Sequence, residues 1–343
     1  MKYRLFTSIV ALSIASAAVS AQEQTHSFFN NSFNHLDLGV TLGTTGIGFD
    51  VATPVTDWAR LRTGFSYMPR AEVPMTFDIQ VGDDPATSLS KFEKMAGFLT
   101  SFTGKEVEPE VEMIGKPNFW NWNFMVDVFP FKNNRHWHAT VGFSLGPTKV
   151  AEAYNKTESM VSLLSVSIYN NMYDKLHGLS IRELAQVKLF EIPGLEDFGT
   201  DLDVLLQLQK HLDNYGRMGM RLGQYTHDIT DEDGKVIHQK GESYVMTPDK
   251  DDMVKANMKV NAFKPYLGIG YDGHLTKHED KLTIGFDAGV MLWGGTPHLT
   301  SHDGTDLIHD VENINGKVGD YINAIEKFKA FPVLNLRIAY KLF

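Results

Sequence analysis

Residues 120–128, WNWNFMVDV, alternate strictly between apolar and polar side chains. One face of this segment carries Trp120, Trp122, Phe124, Val126 and Val128, and the other carries Asn121, Asn123, Met125 and Asp127. An alternation of period two predicts a β-strand with one apolar face. The length is also close to the ~9–11 residues that a tilted strand needs to cross a bilayer. The segment therefore predicts a transmembrane β-strand.

Seven further segments show the same alternation. They are residues 36–43, 47–52, 60–67, 137–145, 263–271, 282–292 and 334–342. Together the eight segments predict an all-β fold, an eight-stranded antiparallel transmembrane β-barrel. A half-buried sheet in a soluble sandwich would also alternate, so the pattern alone leaves that second fold open.

The lengths of the connections favour the barrel. Every second connection is short, and these are residues 53–58, 130–135 and 272–280. The others are a tight turn at residues 43–46 and three long segments at residues 69–118, 146–261 and 293–331. A barrel with short periplasmic turns and long extracellular loops produces this parity, whereas a soluble sandwich has no reason to obey it.

The three long loops carry secondary-structure signals of their own. Residues 73–81 and 106–112 fit a hairpin that continues the third and fourth strands above the membrane, and residues 224–230 and 235–244 fit a second hairpin. Helical spacing of apolar residues predicts helices within residues 89–102, 161–176 and 205–215. Because apolar helix faces must be covered, we expect these elements to pack into a cap or against a partner.

The N-terminus has the pattern of a secretion signal. Lys2 and Arg4 precede an apolar run, and Val19-Ser20-Ala21 suits signal peptidase. We predict a signal peptide at residues 1–21, cleavage after Ala21, and a single outer-membrane domain at residues 22–343. A membrane anchor is the alternative, but the run is shorter than the roughly 20 apolar residues that span a bilayer.

Composition limits the partners. The chain has no cysteine, which excludes a lipoprotein anchor, a disulfide framework and thiolate chemistry. The net charge of -10 argues against nucleic acid. We expect the partners to be the lipid bilayer of the outer membrane, the outer-membrane insertion machinery, and a protein or glycan at the extracellular loops.

All five tryptophans fall at the ends of predicted strands. Trp58 and Trp137 lie beside short turns, and Trp120, Trp122 and Trp293 lie beside long loops. Amphipathic rings favour the headgroup level of a bilayer, so this placement predicts two aromatic girdles.

The polar strand faces carry charges of both signs. The predicted lumen network sets Asp37, Asp50, Asp127 and Asp287 against Arg60, Arg62, Lys264 and Arg337. Burial of an unpaired ion is costly, so the near-neutral balance predicts ion pairs across the lumen. The register of the third and fourth strands places Arg60 opposite Asp127. The alternative is a charge-lined permeation path.

The chain also resembles a known family, the outer-membrane β-barrel proteins of Bacteroidota, which include porin-like and small OmpA-type barrels. The matching stretches are HLDLGVTLGTTGIGFDVATPVTDWARLRTGFSYMP (35–69), FMVDVFPFKNNRHWHATVGFSLGP (124–147) and the terminal strand. The resemblance implies a barrel in the outer membrane. It implies no site residues, because most of that family has no assigned function. In one departure from the usual pattern, Phe343 is out of phase with the apolar face at Ile338, Tyr340 and Leu342.

Two glycine motifs match enzyme patterns without their context. Residues 142–146 fit a hydrolase elbow, and residues 268–273 fit a dinucleotide fingerprint. Both chemistries require a strand that leads into a helix, and neither segment is followed by one. We therefore predict no catalytic residue, no cofactor and no enzymatic activity.

Two groups of histidines could bind a metal ion. One is the pair His136 and His138, and the other is His298, His302 and His309 with Asp303. Neither group has a complete set of ligands at metal-site spacing, so hydrogen-bonded or solvated histidine is the simpler state. We predict no metal site.

Three functions follow from these expectations. In the first, the barrel anchors an ordered extracellular cap that binds a protein partner or a surface ligand. In the second, the barrel is a narrow porin-like channel. The third is an outer-membrane enzyme, for which we find no set of catalytic residues. The first has the best support, because most of the mature chain lies in the long loops.

Overall fold

The computed structural model describes residues 33–81, 90–97, 100, 107–156, 159–188, 202–276, 279–314 and 316–342. The predicted signal peptide and Phe343 lie outside these residues. No helix within them is long and apolar enough to span a membrane.

Eight antiparallel strands close into a barrel. Numbered along the chain, they are β1 (Asp37–Gly43), β2 (Gly46–Thr56), β3 (Ala59–Tyr67), β7 (Trp120–Val128), β8 (Trp137–Leu145), β15 (Phe263–Thr276), β16 (Glu279–Leu292) and β19 (Ala330–Lys341). Each strand pairs with the next barrel strand along the chain, and β19 pairs with β1. The predicted eight-stranded antiparallel barrel is confirmed.

The sequence misplaced the boundaries of two short connections. In the one predicted at residues 53–58, β2 continues to Thr56. Residues 272–276 and 279–280, which were predicted as part of a turn, are strand residues, because β15 and β16 stay paired as far as Thr276 and Glu279. Asp272 lies opposite Gly285 within this extension. The polar residues near the strand ends favour a turn locally, but ion pairing inside the lumen holds Asp272 in the barrel wall.

Five strands of the barrel continue into a second sheet. Its strands are β4 (Val73–Asp78), β6 (Glu110–Pro117), β9 (Lys149–Asn155), β14 (Lys255–Lys259) and β17 (His298–Ser301). Their order, β17-β14-β9-β6-β4, repeats the barrel order β16-β15-β8-β7-β3. Backbone hydrogen bonds from Asn118 to Val150 and from Val260 to Thr148 bridge the two sheets. The hairpin predicted above the third and fourth strands is therefore part of a wider wall.

The remaining elements pack against this wall. A third sheet contains β5 (Gln80–Val81), β10 (Met218–Tyr225), β13 (Ser243–Met246) and β18 (Val311–Glu312), and β11 (Ile229–Thr230) pairs with β12 (Val236–His238). The helices are α1 (Met160–Leu176), α2 (Ile181–Leu184), α3 (Leu202–Tyr215) and α4 (Gly316–Lys327), and residues 90–97 are also helical. The second hairpin and the helices within 161–176 and 205–215 are confirmed, whereas α4 was not predicted.

The cap, which we define as the described residues within 69–118, 146–261 and 293–329, has a hydrophobic core to which all three segments contribute. Helix α1 buries Leu163, Val166 and Met172 in this core. Asn170 of α1 fixes β10, because its side chain accepts from the amide of Met218 at 3.0 Å and donates to the carbonyl of the same residue at 2.8 Å. The described parts of the three long connections therefore form one folded body.

Candidate functional site: a closed lumen and a cavity in the cap

The exterior of the barrel is apolar on every strand. Exposed aliphatic and aromatic side chains alternate with inward polar ones, as shown by Val40, Phe49, Leu61, Val126, Val141, Leu267, Ile284 and Leu336, one from each strand. A closed wall with this exterior is suited to lipid, and exposing so much apolar surface to water would be unfavourable. The barrel is therefore built to span a membrane.

Four of the five tryptophans lie at the ends of barrel strands, and the two aromatic girdles stay a prediction. Trp58 is 56% exposed beside the β2–β3 turn, Trp137 lies at the same end, and Trp122 is exposed at the opposite end. Trp120 stacks on Phe65 nearby. Trp293 does not fit and the prediction is wrong there, because this residue is only 6% exposed. Trp293 packs against Phe331 at 5.6 Å in the junction between barrel and cap.

The lumen contains a ring in which basic and acidic side chains alternate. Arg60 contacts Asp127 at 2.8 Å and Asp272 at 2.7 Å. Arg62 contacts Asp127 at 3.1 Å and Asp287 at 2.6 Å. His138 closes the ring, with one ring nitrogen 3.2 Å from Asp287 and the other 3.8 Å from Asp272.

One member of this ring crosses the lumen. Arg62 lies on β3, and Asp287 lies on β16, which stands on the opposite side of the eight-stranded wall. The guanidinium group makes two hydrogen bonds to Asp287, at 2.6 and 3.0 Å, and one to Asp127 at 3.1 Å. Thr140 adds a hydrogen bond of 2.8 Å to Asp127. We call Arg62, Asp127 and Asp287 the lumen crossbar.

A second ion pair lies nearer the cap. Arg337 of β19 binds Asp50 of β2 at 2.6 Å, across the intervening strand β1. Gly39 of β1 makes this possible, because a Cβ atom there would lie 2.6 Å from the Asp50 carboxylate. The pair thus depends on a lumen glycine as well as on its own two charges.

Two residues of the predicted lumen network, Asp37 and Lys264, lie outside the ion-pair network that the structure shows. Asp37 is near His35, at 3.8 Å, at the mouth of the barrel. Lys264 is buried at the opposite end, 3.4 Å from the carbonyls of Pro147 and Ala262. No carboxylate among the described residues lies within ion-pair distance of its ammonium group.

Sequence reasoning missed Asp272 and treated His138 only as a metal candidate. The lumen phase of β8 places His138 inward, which could have identified it as a member of the ring. Asp272 carried no such signal, because it was assigned to a turn. Ser144 of the discounted hydrolase motif donates a 2.7 Å hydrogen bond to Asn123 and is a packing residue of the lumen.

The lumen crossbar separates two cavities. One, of about 60 Å³, lies on the cap side and is lined by Thr41, Ser66 and Asn335. The other, of about 620 Å³, opens at the mouth opposite the cap and is lined by Asp37, Lys132 and other polar residues. The crossbar therefore interrupts the route through the barrel.

The cap contains an apolar cavity of about 340 Å³. Its wall combines the inner face of the five-stranded sheet with residues of β10, β13 and α4. Almost all of the lining is hydrophobic, including Met75, Met113, Met220, Met246, Met258, Leu222, Leu299, Leu307, Ile322 and Ile325. A cavity of this size and character falls within the ~300–1,000 Å³ range of small-molecule sites.

The histidine groups are arranged differently from the prediction. His136 bonds to the carbonyl of Asp272 at 2.6 Å while His138 points into the lumen, so the two do not converge on one ion. His302 bonds to the carbonyl of Thr247 at 2.8 Å. The second predicted group is therefore not assembled as a unit.

Asp303, the acid of that group, serves a structural role beside Tyr244. The hydroxyl of Tyr244 donates to Asp303 at 2.8 Å and lies 3.1 Å from the hydroxyl oxygen of Ser301. Burial, and then the Asp303 charge, raises the pKa of Tyr244. Burial alone would raise the pKa of Asp303, but hydrogen bonds from Ser301, Thr305 and Tyr244 outweigh it and lower this pKa.

The fold and the closed lumen define a membrane-spanning β-barrel with a folded cap.

Two crystal structures from Acinetobacter baumannii resemble it: CarO2, with 10% identity and a TM-score of 0.36, and CarO, with 12% identity and a TM-score of 0.34. The alignments cover 92% and 89% of this chain and 100% and 96% of those chains. A major outer membrane protein from Thermus thermophilus follows, with 10% identity, a TM-score of 0.27, and coverage of 90% of this chain and 98% of that one. No protein-family model and no curated protein matches the sequence. The resemblance to Bacteroidota barrels stays a prediction.

Proposed function

We propose that this protein is an outer-membrane barrel that anchors a folded extracellular cap, and that the cap binds the hydrocarbon chain of a small hydrophobic ligand. The apolar cavity in the cap carries this proposal. Export by the signal peptide at residues 1–21 and recognition by the insertion machinery are parts of the same proposal. It assigns no catalytic residue and no cofactor.

The cavity follows from a row of small residues in the cap sheet. Gly115, Ala153 and Ala256 are directly paired across β6, β9 and β14. A Cβ atom on Gly115 would meet the flexible end of Met75 at 3.0 Å and no backbone atom closer than 3.6 Å, so no tight backbone contact requires the glycine there. Large side chains on the facing elements cannot fill the space above three such residues.

The lining indicates the class of ligand. A sugar or peptide needs hydrogen-bond partners when it leaves water, and this cavity supplies almost none. A hydrocarbon chain needs only apolar contact. Methionine side chains are flexible and polarisable, so the five that line the cavity can adapt to chains of different shape. The lining therefore favours a fatty acyl or alkyl chain over a glycan.

The opposite face of the same sheet is polar, which gives the cavity a defined inside. Lys116 pairs with Glu72 at 2.9 Å, and Lys149 pairs with Glu152 at 2.6 Å. Lys116 and Glu152 alternate with Gly115 and Ala153 along their strands and also border the cavity, so these charges mark the rim of an otherwise apolar lining.

The closed lumen supports an anchoring role for the barrel. The narrow channel is the second candidate, and the charged residues of the lumen are what favoured it. Arg62 and its two aspartates occupy the middle of the lumen as mutually bonded groups. We expect planar-bilayer recordings of the wild-type protein to show no stable conductance. Steady single-channel currents would favour the channel instead.

Photocrosslinking tests ligand binding. We would reconstitute the mature chain in lipid vesicles and irradiate it with a diazirine-labelled fatty acid, or with a lysophospholipid that carries the same labelled tail. Mass spectrometry should locate crosslinks in β6, β9 and β14 as well as on the lipid-facing exterior of the barrel. Cap crosslinks that form only with the fatty acid would identify a free acid as the ligand. Cap crosslinks that form only with the lysophospholipid would identify a lipid.

The variant Ala153→Phe fills the centre of the row and should remove the cap crosslinks while the exterior ones remain. The matched control is Asn257→Phe, which adds the same ring to the neighbouring strand β14, next to Ala256, at a residue outside the cavity lining. Crosslinks confined to the exterior in the wild type, or cap crosslinks that survive in Ala153→Phe, would refute binding in this cavity.

A further inference from the structure

Two histidines and one aspartate converge at the edge of the cap, independently of the cavity. The Nδ1 atom of His298 lies 2.6 Å from Oδ2 of Asp306, and the Nδ1 atom of His309 lies 2.9 Å from the same oxygen. The two imidazole rings stack with their centroids 4.5 Å apart. All three candidate ligand atoms lie within 4.8 Å of one another.

The backbone brings these three residues together. The amide of Leu307 bonds to the carbonyl of Leu299 at 2.8 Å, which folds the chain back on itself after β17. His298 at the start of β17 thereby faces Asp306, and a turn in which the amide of His309 bonds to the carbonyl of Asp306 at 3.2 Å adds the second imidazole. Folding of the backbone thus assembles the group.

The carboxylate is held in place by its second oxygen. Oδ1 of Asp306 accepts hydrogen bonds from the amides of Leu299 at 3.2 Å and Ile308 at 3.1 Å. The side chain of Asp306 is 13% exposed, whereas those of His298 and His309 are 58% and 42% exposed. A fixed, sheltered carboxylate with two solvent-accessible imidazoles leaves a side open through which an ion and its water could enter.

The surrounding charge suits a cation. Asp310 is adjacent, and its carboxylate accepts from the amide of Asp306 at 2.9 Å. A second carboxylate therefore lies next to the three candidate ligands.

We propose that Nδ1 of His298, Nδ1 of His309 and Oδ2 of Asp306 bind one divalent transition-metal ion of the Zn²⁺ type, with water as a further ligand. Two imidazoles and one carboxylate are a ligand set that Zn²⁺ favours, whereas Mg²⁺ and Ca²⁺ prefer oxygen ligands. Tetrahedral zinc ligands lie about 3.3 Å apart, so the Nδ1–Oδ2 distances must open by roughly half an ångström. The exposed imidazoles have the freedom to make this movement.

The proposed ion would also brace the cap. The loop that it closes carries Leu299 and Leu307, which line the apolar cavity. Binding should therefore slow hydrogen exchange in residues 298–309. This effect is a second readout that does not depend on any ligand in the cavity.

Isothermal titration of the full mature chain, in detergent and without a histidine tag, tests the site. After treatment with EDTA and dialysis, we expect one equivalent of Zn²⁺ to bind saturably, with no comparable signal from Mg²⁺. His298→Ala and His309→Ala should each weaken binding by ~10-fold or more.

The matched control is His238→Ala, which removes another exposed histidine bonded to an acid, Glu242, at 2.9 Å. It should leave the affinity unchanged. Absence of saturable Zn²⁺ binding in the wild type would overturn the proposal. So would an affinity that His298→Ala and His309→Ala leave unchanged, or that His238→Ala reduces equally.

Discussion

We expect the substitution Arg62→Met to destabilise the barrel by about 3–5 kcal/mol, the typical cost of leaving one member of a buried ion pair without its partner. Asp127 would keep Arg60 at 2.8 Å and Thr140 at 2.8 Å. Asp287 would keep one described partner, His138 at 3.2 Å. Most of the cost therefore falls on Asp287, whose two shortest hydrogen bonds come from Arg62.

The double variant Arg62→Met/Asp287→Leu isolates this mechanism. It also removes the Asp287 carboxylate, which the single variant leaves without its arginine, and Asp127 remains paired with Arg60. Replacing a buried ion pair by apolar residues is often neutral or stabilising, so the double variant should recover most of the loss. Lys132→Met, at the exposed turn between β7 and β8, is the control and should stay within about 0.5 kcal/mol of the wild type.

Urea unfolding of the protein in lipid vesicles, followed by tryptophan fluorescence, measures these differences. A loss of about 3–5 kcal/mol corresponds to a change of roughly two to four orders of magnitude in the unfolding equilibrium. If Arg62→Met were as stable as Lys132→Met, the Arg62 guanidinium group would be solvated in an open, water-filled lumen. That result would refute the crossbar and revive the channel as the leading function.

Three further outcomes are expected. Trp293→Ala should destabilise the junction between barrel and cap by about 3–5 kcal/mol, measured by urea unfolding, because it removes a buried ring. Asn170→Ala should lower the free energy of unfolding by about 1–3 kcal/mol and speed hydrogen exchange of the Met218 amide, because both buried backbone groups of Met218 lose their partner. Unchanged exchange at Met218 would contradict this. Burial would raise the pKa of Asp249, but the hydrogen bond from Lys255 and two backbone amides outweigh it, so the pKa lies below its ordinary value of about 3.9. The ionised Asp249 carboxylate stabilises the folded protein above a pH of about 3.9, and this stabilisation is lost as the pH falls through the native pKa. Asp249→Asn should therefore lose less stability than the wild type between about pH 5 and pH 2. An equal loss in the two proteins would contradict the lowered pKa.

The barrel strands were predictable because their side-chain pattern has the period of the structure. Trp120–Val128 and Trp137–Leu145 have the predicted bounds, and each lipid-facing position is apolar. The same period fixed the pairing of Arg60 with Asp127, since a shift of one residue would turn every side chain to the other face.

Other features depend on contacts that the pattern does not encode. Trp293 follows the last outward residue of β16, and only the presence of Phe331 beside it explains why its ring is buried. Helix α4 has the spacing Val318, Ile322 and Ile325, which could have indicated it, but this apolar run is short and the helix begins with two glycines, Gly316 and Gly319, that disfavour a helix. The sequence places Lys264 correctly on the lumen face of β15. It cannot show how far the ammonium group lies from the described carboxylates, because almost all of those lie outside β15.

The amino-acid sequence by itself determined which residues form the barrel wall and which of their faces meets lipid, because a period of two and the length of a membrane-spanning strand are local properties. The tertiary structure alone decided that Arg62 crosses to Asp287, that Gly115, Ala153 and Ala256 lie side by side, and that His298 meets Asp306. Each of these contacts joins separate elements of the fold. Their distances are set by barrel closure, sheet order and turn geometry, which no single segment of the chain specifies.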